Sequence, residues 1–242
     1  MAGRGAALVT GGARRIGRVL AAVAAQAGFD VALHVRSIGD DAEAAAGEVR
    51  GHGRKAAILA CDLRKESETV ALVGQAEFEL GPVTLLVNCA SVFEHDAFSD
   101  MNRASWDLHM ETNLRAPLVL AQAFARRLPA DREGLIVNVL DQRVLRPPAD
   151  FFSYSLSKSA LWDATRMLAQ ALSPRIRVNG IGPGPTLASI HQDDAAFEAE
   201  ARATLLQRPV DPGDIGGALR YLIDARAVTG QMIAVDSGQH LA

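Results

Sequence analysis

The chain alternates short, continuously apolar runs with longer segments whose apolar positions recur every three or four residues. The runs are Ala6–Thr10, Val31–Val35, Ala56–Ala60, Leu85–Asn88, Leu135–Leu140, Arg177–Asn179 and Met232–Val235. Uninterrupted hydrophobicity, in place of an in–out alternation, predicts strands covered on both faces. Helical periodicity falls near residues 15–27, 41–50, 66–80, 104–128, 155–172 and 212–224. Together these predict an α/β fold: a doubly wound, seven-stranded, mostly parallel sheet with helices on both faces and right-handed crossovers. No internal repeat or low-complexity tract interrupts it, so a single domain over residues 1–242 is expected. The least regular stretches, 141–153 and 183–196, follow strand ends, on the edge where open sheets bind ligands.

Composition narrows the partners. The 242 residues carry a net charge of −3 without a long basic block, and nucleic acid would require a concentrated positive face. Cys61 and Cys89 each close an apolar run and suit buried packing better than a disulfide framework or a metal site. The first strand begins by about Ala6, so no signal peptide is expected, and Gln26 and Asp30 break the Ala-rich stretch 19–35 that would otherwise resemble a membrane span. The expectation is a cytoplasmic enzyme with a small-molecule substrate and neither a nucleic-acid nor a membrane partner.

The first strand runs directly into Thr10-Gly11-Gly12-Ala13-Arg14-Arg15-Ile16-Gly17 and then a helix. Glycines allow a tight turn there, and the free N–H groups of a helix N-terminus suit a pyrophosphate, although a plain strand-to-helix turn would carry the same residues. Arg14, Arg15 and Arg18 crowd the positive end of that helix, where cations are disfavoured unless an anion joins them. The second strand ends His34-Val35-Arg36-Ser37. An acidic residue at this place would hold a ribose 2′-hydroxyl, whereas Arg36 and Ser37, backed by Arg14, suit a 2′-phosphate and point to NADPH. Asp40 and Asp41 read as the cap of the next helix. Asp62, followed by Leu63 just past the third strand, is placed either to accept from an adenine amino group or to cap the helix beyond.

Tyr154 and Lys158 are four apart and share one helix face. An ammonium beside a phenol favours the phenolate, which predicts a lowered tyrosine pKa and a usable proton donor near neutral pH. Asn113 lies in the long helical segment with Pro117 four residues on. Proline has no N–H, so the carbonyl of residue 113 is free to hold a water, or the helix simply kinks.

Taken in order, Thr10–Gly17, Asp62, Asn88-Cys89-Ala90, Asn113, Tyr154/Lys158, Arg177-Val178-Asn179 with Pro183-Gly184, and Thr229-Gly230-Gln231 with Val235-Asp236 resemble the short-chain dehydrogenase/reductase family from end to end. The resemblance implies a Rossmann-type domain, a proton relay of Asn113, Tyr154 and Lys158, and a bond from Lys158 to the nicotinamide ribose. It further implies NADP contacts from Gly11, Arg14, Arg15, Ile16 and Gly17, from His34, Arg36 and Ser37, from Asp62 and Leu63, from Asn88 and Ala90, and from Pro183 and Gly184. A homotetramer joined through two long helices is also implied.

Three departures from the common pattern stand out. Arg15 replaces the middle glycine of the loop, Asn88-Cys89-Ala90-Ser91 with Val92-Phe93 replaces Asn-Asn-Ala-Gly, and Asp141 stands thirteen before the tyrosine where serine is usual. All three resemble the pteridine reductase branch, which includes dihydromonapterin reductases. That resemblance implies a pterin stacked on Phe93, protons handled by Asp141, Tyr154 and Lys158, and a substrate site lined by Arg15, Ser91 and Thr186. The chemistry is coherent: a pterin offers N–H donors to a carboxylate, and reducing a ring C=N protonates a nitrogen. Phe93 is otherwise a core aromatic, Asp141 otherwise pairs with Arg143 or caps a turn, Asp150-Phe151-Phe152 reads as packing, and His191 in the substrate loop as incidental. The expected activity is NADPH-dependent reduction of a pterin, dihydropterin or related cyclic C=N compound. The rivals are a ketone reductase and an NADPH-sensing regulator without chemistry.

Overall fold

The computed structural model describes residues 4–188 and 192–242, so His191 lies outside the described residues. Among the described residues seven strands form one sheet in the order β3-β2-β1-β4-β5-β6-β7, every neighbouring pair parallel. They are β1 (Ala6–Thr10), β2 (Asp30–Val35), β3 (Ala56–Ala60), β4 (Val83–Asn88), β5 (Gly134–Val139), β6 (Ile176–Pro183) and β7 (Met232–Val235). The helices between them are α1 (Arg15–Gln26), α2 (Asp40–Gly51), α3 (Glu66–Leu80), α4 (Arg103–His109), α5 (Ala116–Arg127), α6 (Phe152–Leu172), α7 (Asp194–Arg202) and α8 (Pro212–Asp224). The sheet is wholly parallel, which goes further than the expected mostly parallel arrangement.

The apolar runs work because successive strand side chains point to opposite faces. Ala7, Val9, Leu33, Leu85, Val87 and Val137 pack with α1, α2 and α8, while Ala6, Leu8, Ala32, Leu86 and Ile136 pack with α3, α5 and α6. β1, β4 and β5 are buried along their whole length, whereas the edge strands β3 and β7 are half-buried. Chain order reverses where β1 lies between β2 and β4, and the crevice at their carboxyl ends is the ligand position of such sheets. No helix among the described residues is long and apolar enough to cross a membrane.

The single helix expected over 104–128 is broken. α4 passes into a π-helical turn, Met110–Arg115, before α5 begins with Pro117 in its first turn. Proline cannot donate an N–H, and the ladder shifts register before it. α7 begins inside the stretch 183–196 read as irregular and runs beyond it, and its short, alanine-rich sequence carries little periodic signal. Asp40 and Asp41 sit in the first turn of α2, with Gly39 as the capping residue, so their carboxylates meet the helix dipole from inside the turn.

Several of the quoted motifs are structural ties. The Arg177 guanidinium donates to the carbonyls of Leu222, Ile223, Ala225 and Val228, satisfying the carboxyl end of α8. Asn179 donates to the Val228 carbonyl and accepts from the Gln231 N–H, while the Thr229 hydroxyl accepts from the Val178 N–H. These bonds bring β7 beside β6.

Two glycines separate close packing from helix propensity. A β-carbon on Gly17 would stand 2.1 Å from the Gly11 carbonyl oxygen, whereas one on the exposed Gly47 of α2 meets nothing within 4 Å. In urea unfolding, Gly17→Ala is expected to destabilise by about 2–3 kcal/mol. Gly47→Ala should stabilise by about 0.5–1 kcal/mol.

Candidate active site

A cavity of about 910 Å³ opens on the carboxyl edge of the sheet, lined by the segments that follow β1 to β6. Its first wall is the turn between β1 and α1. Gly11 has φ +65°, and the Thr10 hydroxyl accepts from the Cys89 and Ala90 N–H groups at 2.9 and 3.0 Å, locking β1 to the end of β4. His34, buried at the end of β2, braces the turn from the other side. Its Nδ1 lies 3.3 Å from the Gly11 N–H and its Nε2 3.1 Å from the Cys61 carbonyl. An N–H can only donate, so Nδ1 accepts and Nε2 carries the proton. Burial lowers the His34 pKa, which favours this neutral form.

α1 begins at this wall without a side-chain cap and without an acidic residue in its first turn. Arg14 is its capping residue and pairs with Asp41 at 3.2 Å on the exposed rim. Arg15 adopts φ +50°, a left-handed conformation that strains any residue bearing a β-carbon, and its guanidinium donates to the Leu187 and Ala188 carbonyls, both at 3.0 Å. Arg18 lies outside the cavity and pairs with Glu48. An uncapped helix N-terminus, a glycine turn and neighbouring arginines fit the pyrophosphate of a dinucleotide. Arg36 reaches the lining from the end of β2, and Ser37 beside it does not. Asp62 and Leu63 line the same end. The Asp62 carboxylate is held by Arg64, whose guanidinium hydrogen bonds bring its pKa down to about 2, and it does not cap α3, whose capping residue is Lys65.

The opposite wall carries the tyrosine. The Tyr154 hydroxyl donates to Asp141 Oδ2 at 2.7 Å, and Asp141 Oδ1 accepts from the Arg143 N–H at 2.9 Å. Asp141 thus caps the short turn Gln142–Leu145 and holds the tyrosine at once. Lys158 is buried, donates to the Val139 carbonyl at 2.9 Å, and lies 5.8 Å from the centre of the Tyr154 ring. Burial pulls its pKa down to about 8. The expectation of a lowered tyrosine pKa is reversed. Burial pushes Tyr154 well above the ordinary value, and the negative charge of Asp141 adds to the effect. Burial is the larger cause, and the ammonium across the ring does not reverse it.

Phe93 stacks on Phe151, with centroids 4.2 Å apart and planes at 8°, and meets Tyr154 edge-on at 4.7 Å. The Arg143 guanidinium lies over both phenylalanine rings at 5.8 and 5.4 Å. Phe151 and Arg143 were not singled out from the sequence as site residues. The doublet Phe151-Phe152 at the start of the tyrosine helix is the signal that marks the first of them. Gln239 and Glu200 also line the cavity, and Gln239 donates to Glu200 at 2.9 Å, a meeting across 39 residues that carries no local signal.

Other expected residues stand in the lining or behind it. Asn113 is buried, and its side chain clamps the backbone of Val92: Oδ1 accepts from the Val92 N–H at 2.8 Å and Nδ2 donates to the Val92 carbonyl at 2.9 Å. Ser91 lines the cavity and donates to the same Oδ1 at 3.2 Å. Asn88 lies within the sheet and donates to Asn138 at 2.8 Å. Ala90, Ile16, Pro183 and Gly184 reach the lining, as does Thr186, whose hydroxyl donates to the Gly184 carbonyl. Burial pushes the Cys61 and Cys89 thiols up to about 11, so both remain protonated near neutral pH and behave as small apolar groups.

The buried lysine makes a measurable prediction. Its pKa is about 8 folded against an ordinary 10.5, so between these values the unfolded chain binds more protons and stability contributed by Lys158 rises with pH. The raised pKa values of Cys61, Cys89 and Tyr154 act in the opposite sense, so the lysine is isolated by difference. Subtracting the pH–stability curve of Lys158→Met from that of the wild type should leave a rise from about pH 8 to 10.5. A flat difference would mean that the ammonium is solvated.

Comparison with known proteins adds to this geometry. The family model described as short chain dehydrogenase matches residues 5–199. The chain is 32% identical over 237 residues to a 3-oxoacyl-(acyl-carrier-protein) reductase of Bos taurus, covering 96% of this chain and 97% of the relative. Among solved structures it is similar to FolM alternative dihydrofolate reductase 1 of Brucella suis in complex with NADP, with 47% identity, a TM-score of 0.95, and coverage of 100% of this chain and 97% of that one. The corresponding Brucella canis protein, also complexed with NADP, gives 46% identity, a TM-score of 0.91, and coverage of 98% and 94%.

Proposed function

The chain belongs to the short-chain dehydrogenase family and is an NADP-dependent oxidoreductase, and on that premise we propose that it reduces a pterin or dihydropterin at a ring C=N bond. The observation that carries this reading is the Asp141 carboxylate, 2.7 Å from the Tyr154 hydroxyl. A carboxylate there repels the alkoxide developing from a ketone, but it accepts the N–H donors of an aminopyrimidine ring. The likeness to two FolM alternative dihydrofolate reductases supports the same substrate class.

When bound, NADPH supplies the hydride. The chain's own residues bind and orient. The α1 N-terminus with Arg14 and Arg15 would hold the pyrophosphate, and Arg36, with Ser37 next in the chain at the rim, would hold the 2′-phosphate. Phe93 presents an aromatic face to the substrate ring, and Phe151 backs it. Tyr154 keeps its proton near neutral pH because burial and Asp141 both oppose ionisation, so it stands as a donor. Giving up that proton leaves a phenolate beside a carboxylate, and the Lys158 ammonium is the cation that offsets the two. Asn113 contributes through the Val92 backbone it clamps. The reading includes action in the cytoplasm and a homotetramer joined through α5 and α6, the latter exposing Leu156 and Met167. A monomer mass by light scattering would remove the tetramer.

NADPH oxidation with dihydrobiopterin, dihydromonapterin and dihydrofolate, set beside a panel of small ketones, tests the proposal. Dihydropterin turnover is expected, and Asp141→Ser should lower kcat/KM by at least about a hundredfold. Turnover of ketones alone, or a gain in ketone turnover with no dihydropterin loss in Asp141→Ser, would sink it. In the same assay Arg36→Ala should raise the KM for NADPH roughly ten- to a hundredfold and leave NADH unaffected. An equal change for both cofactors would place the 2′-phosphate elsewhere.

A further inference from the structure

The loop that carries Phe93 and the helix that carries Tyr154 are joined by three buried polar side chains, Asp96, His109 and Ser153. Asp96 lies in the same loop three residues beyond Phe93, and its Oδ1 accepts from the Ser153 N–H at 2.9 Å while its Oδ2 accepts from the Ser153 hydroxyl. The Asp96 carbonyl accepts from the Phe152 N–H at 3.0 Å. α6 therefore begins against Asp96, which replaces the side-chain cap that Phe151, at φ +48°, does not supply.

His109, the last residue of α4, completes the connection. Its Nδ1 lies 2.7 Å from the Ser153 hydroxyl and its Nε2 lies 3.2 Å from the Glu94 N–H. The Glu94 amide can only donate, so Nε2 accepts and Nδ1 carries the proton. Ser153 then accepts from His109 and donates to Asp96. The chain of bonds runs in one direction, from the Glu94 amide through imidazole and hydroxyl to the carboxylate, and each donor has its acceptor. A second proton on His109 would leave the Glu94 N–H facing another donor. Burial lowers the His109 pKa, in keeping with the neutral ring.

The ends of this chain matter because of their neighbours. Glu94 follows Phe93, Ser153 precedes Tyr154, and the His109 ring meets the Tyr154 ring edge-on at 6.0 Å. We propose that His109 is a positioning residue whose two ring nitrogens fix the backbone beside Phe93 and the backbone beside Tyr154 at one separation, and so set where the aromatic face and the proton donor meet a flat substrate ring. The proposal rests on the substrate-stacking and proton-donor roles assigned above to Phe93 and Tyr154. His109 and Ser153 themselves line no part of the cavity, and the cofactor wall formed by β1, α1 and His34 lies on other elements.

The test compares His109→Leu with His109→Gln, whose amide accepts at one end and donates at the other. Ser153→Ala is the second break, in case the leucine variant does not fold. KM for dihydrobiopterin should rise about tenfold or more in the broken variants, with the dissociation constant of NADPH unchanged by nicotinamide fluorescence, and glutamine should recover most of the loss. Wild-type kinetics in His109→Leu and Ser153→Ala would overturn the proposal, as would a folded glutamine variant that recovers nothing. Wild-type protein without dihydropterin turnover would sink the proposed function instead. Amide exchange at Glu94 and Ser153 then decides for His109: faster in leucine and slow again in glutamine supports it, and unchanged exchange in both overturns it.

Discussion

At the start of the first helix two backbones pass so closely that no side chain fits between them. The missing β-carbon of Gly17 lets the helix sit on the Gly11 carbonyl, and Gly11 itself turns through a positive φ to make the approach. The distance between β1 and α1 follows from this contact, and with it the place of every group on that wall of the cavity. Thr10 carries the constraint sideways to the end of β4 through two hydrogen bonds from backbone N–H groups, and His34 carries it to β2 and β3. The arginines of the loop therefore stand on a braced platform, and their cost at the positive end of a helix is set against rigid amides ready for an anion.

The other wall is organised by charge. Tyr154, Lys158 and Asp141 meet where water is scarce, and burial acts on phenol and ammonium in opposite directions, raising one pKa and lowering the other. Both shifts favour uncharged forms. Asp141 offsets this for the lysine and reinforces it for the tyrosine, raising both values, so burial is what separates the two and the carboxylate makes each hold its proton more firmly. A serine in its place would remove the carboxylate's contribution and leave the buried tyrosine beside the lysine, which is the pairing that the Tyr-x-x-x-Lys spacing by itself suggests.

How much of this was legible depends on the range over which each feature is encoded. The strands were readable because a segment buried on both faces has to be apolar throughout, and β1, β4 and β5 are. The glycine turn and the Tyr154/Lys158 face were readable because their spacing is local. The break after α4 was half readable: Pro117 announced a defect, but nothing local showed that the turn would place the Asn113 side chain on Val92, 21 residues away. The Tyr154/Lys158 spacing does not show the tyrosine pKa, because the burial that raises it and the bond from its hydroxyl to Asp141 appear only in the folded chain. Phe151, Arg143 and the meeting of Gln239 with Glu200 bring together parts of the chain that no periodicity links.

Alternate residues of β1, β4 and β5 serve different helical layers. Adding or removing one residue inside any of these strands would turn its apolar side chains toward the wrong layer. Over evolutionary time the chain is therefore free to change length chiefly between elements. On the carboxyl edge those connections include 89–102 after β4 and the stretch from Gly184 into α7, the segments that bring Ser91, Phe93, Thr186 and Leu187 to the cavity. Descendants of such a chain can exchange one substrate for another by growing or trimming these loops, while the sheet keeps the record of common ancestry.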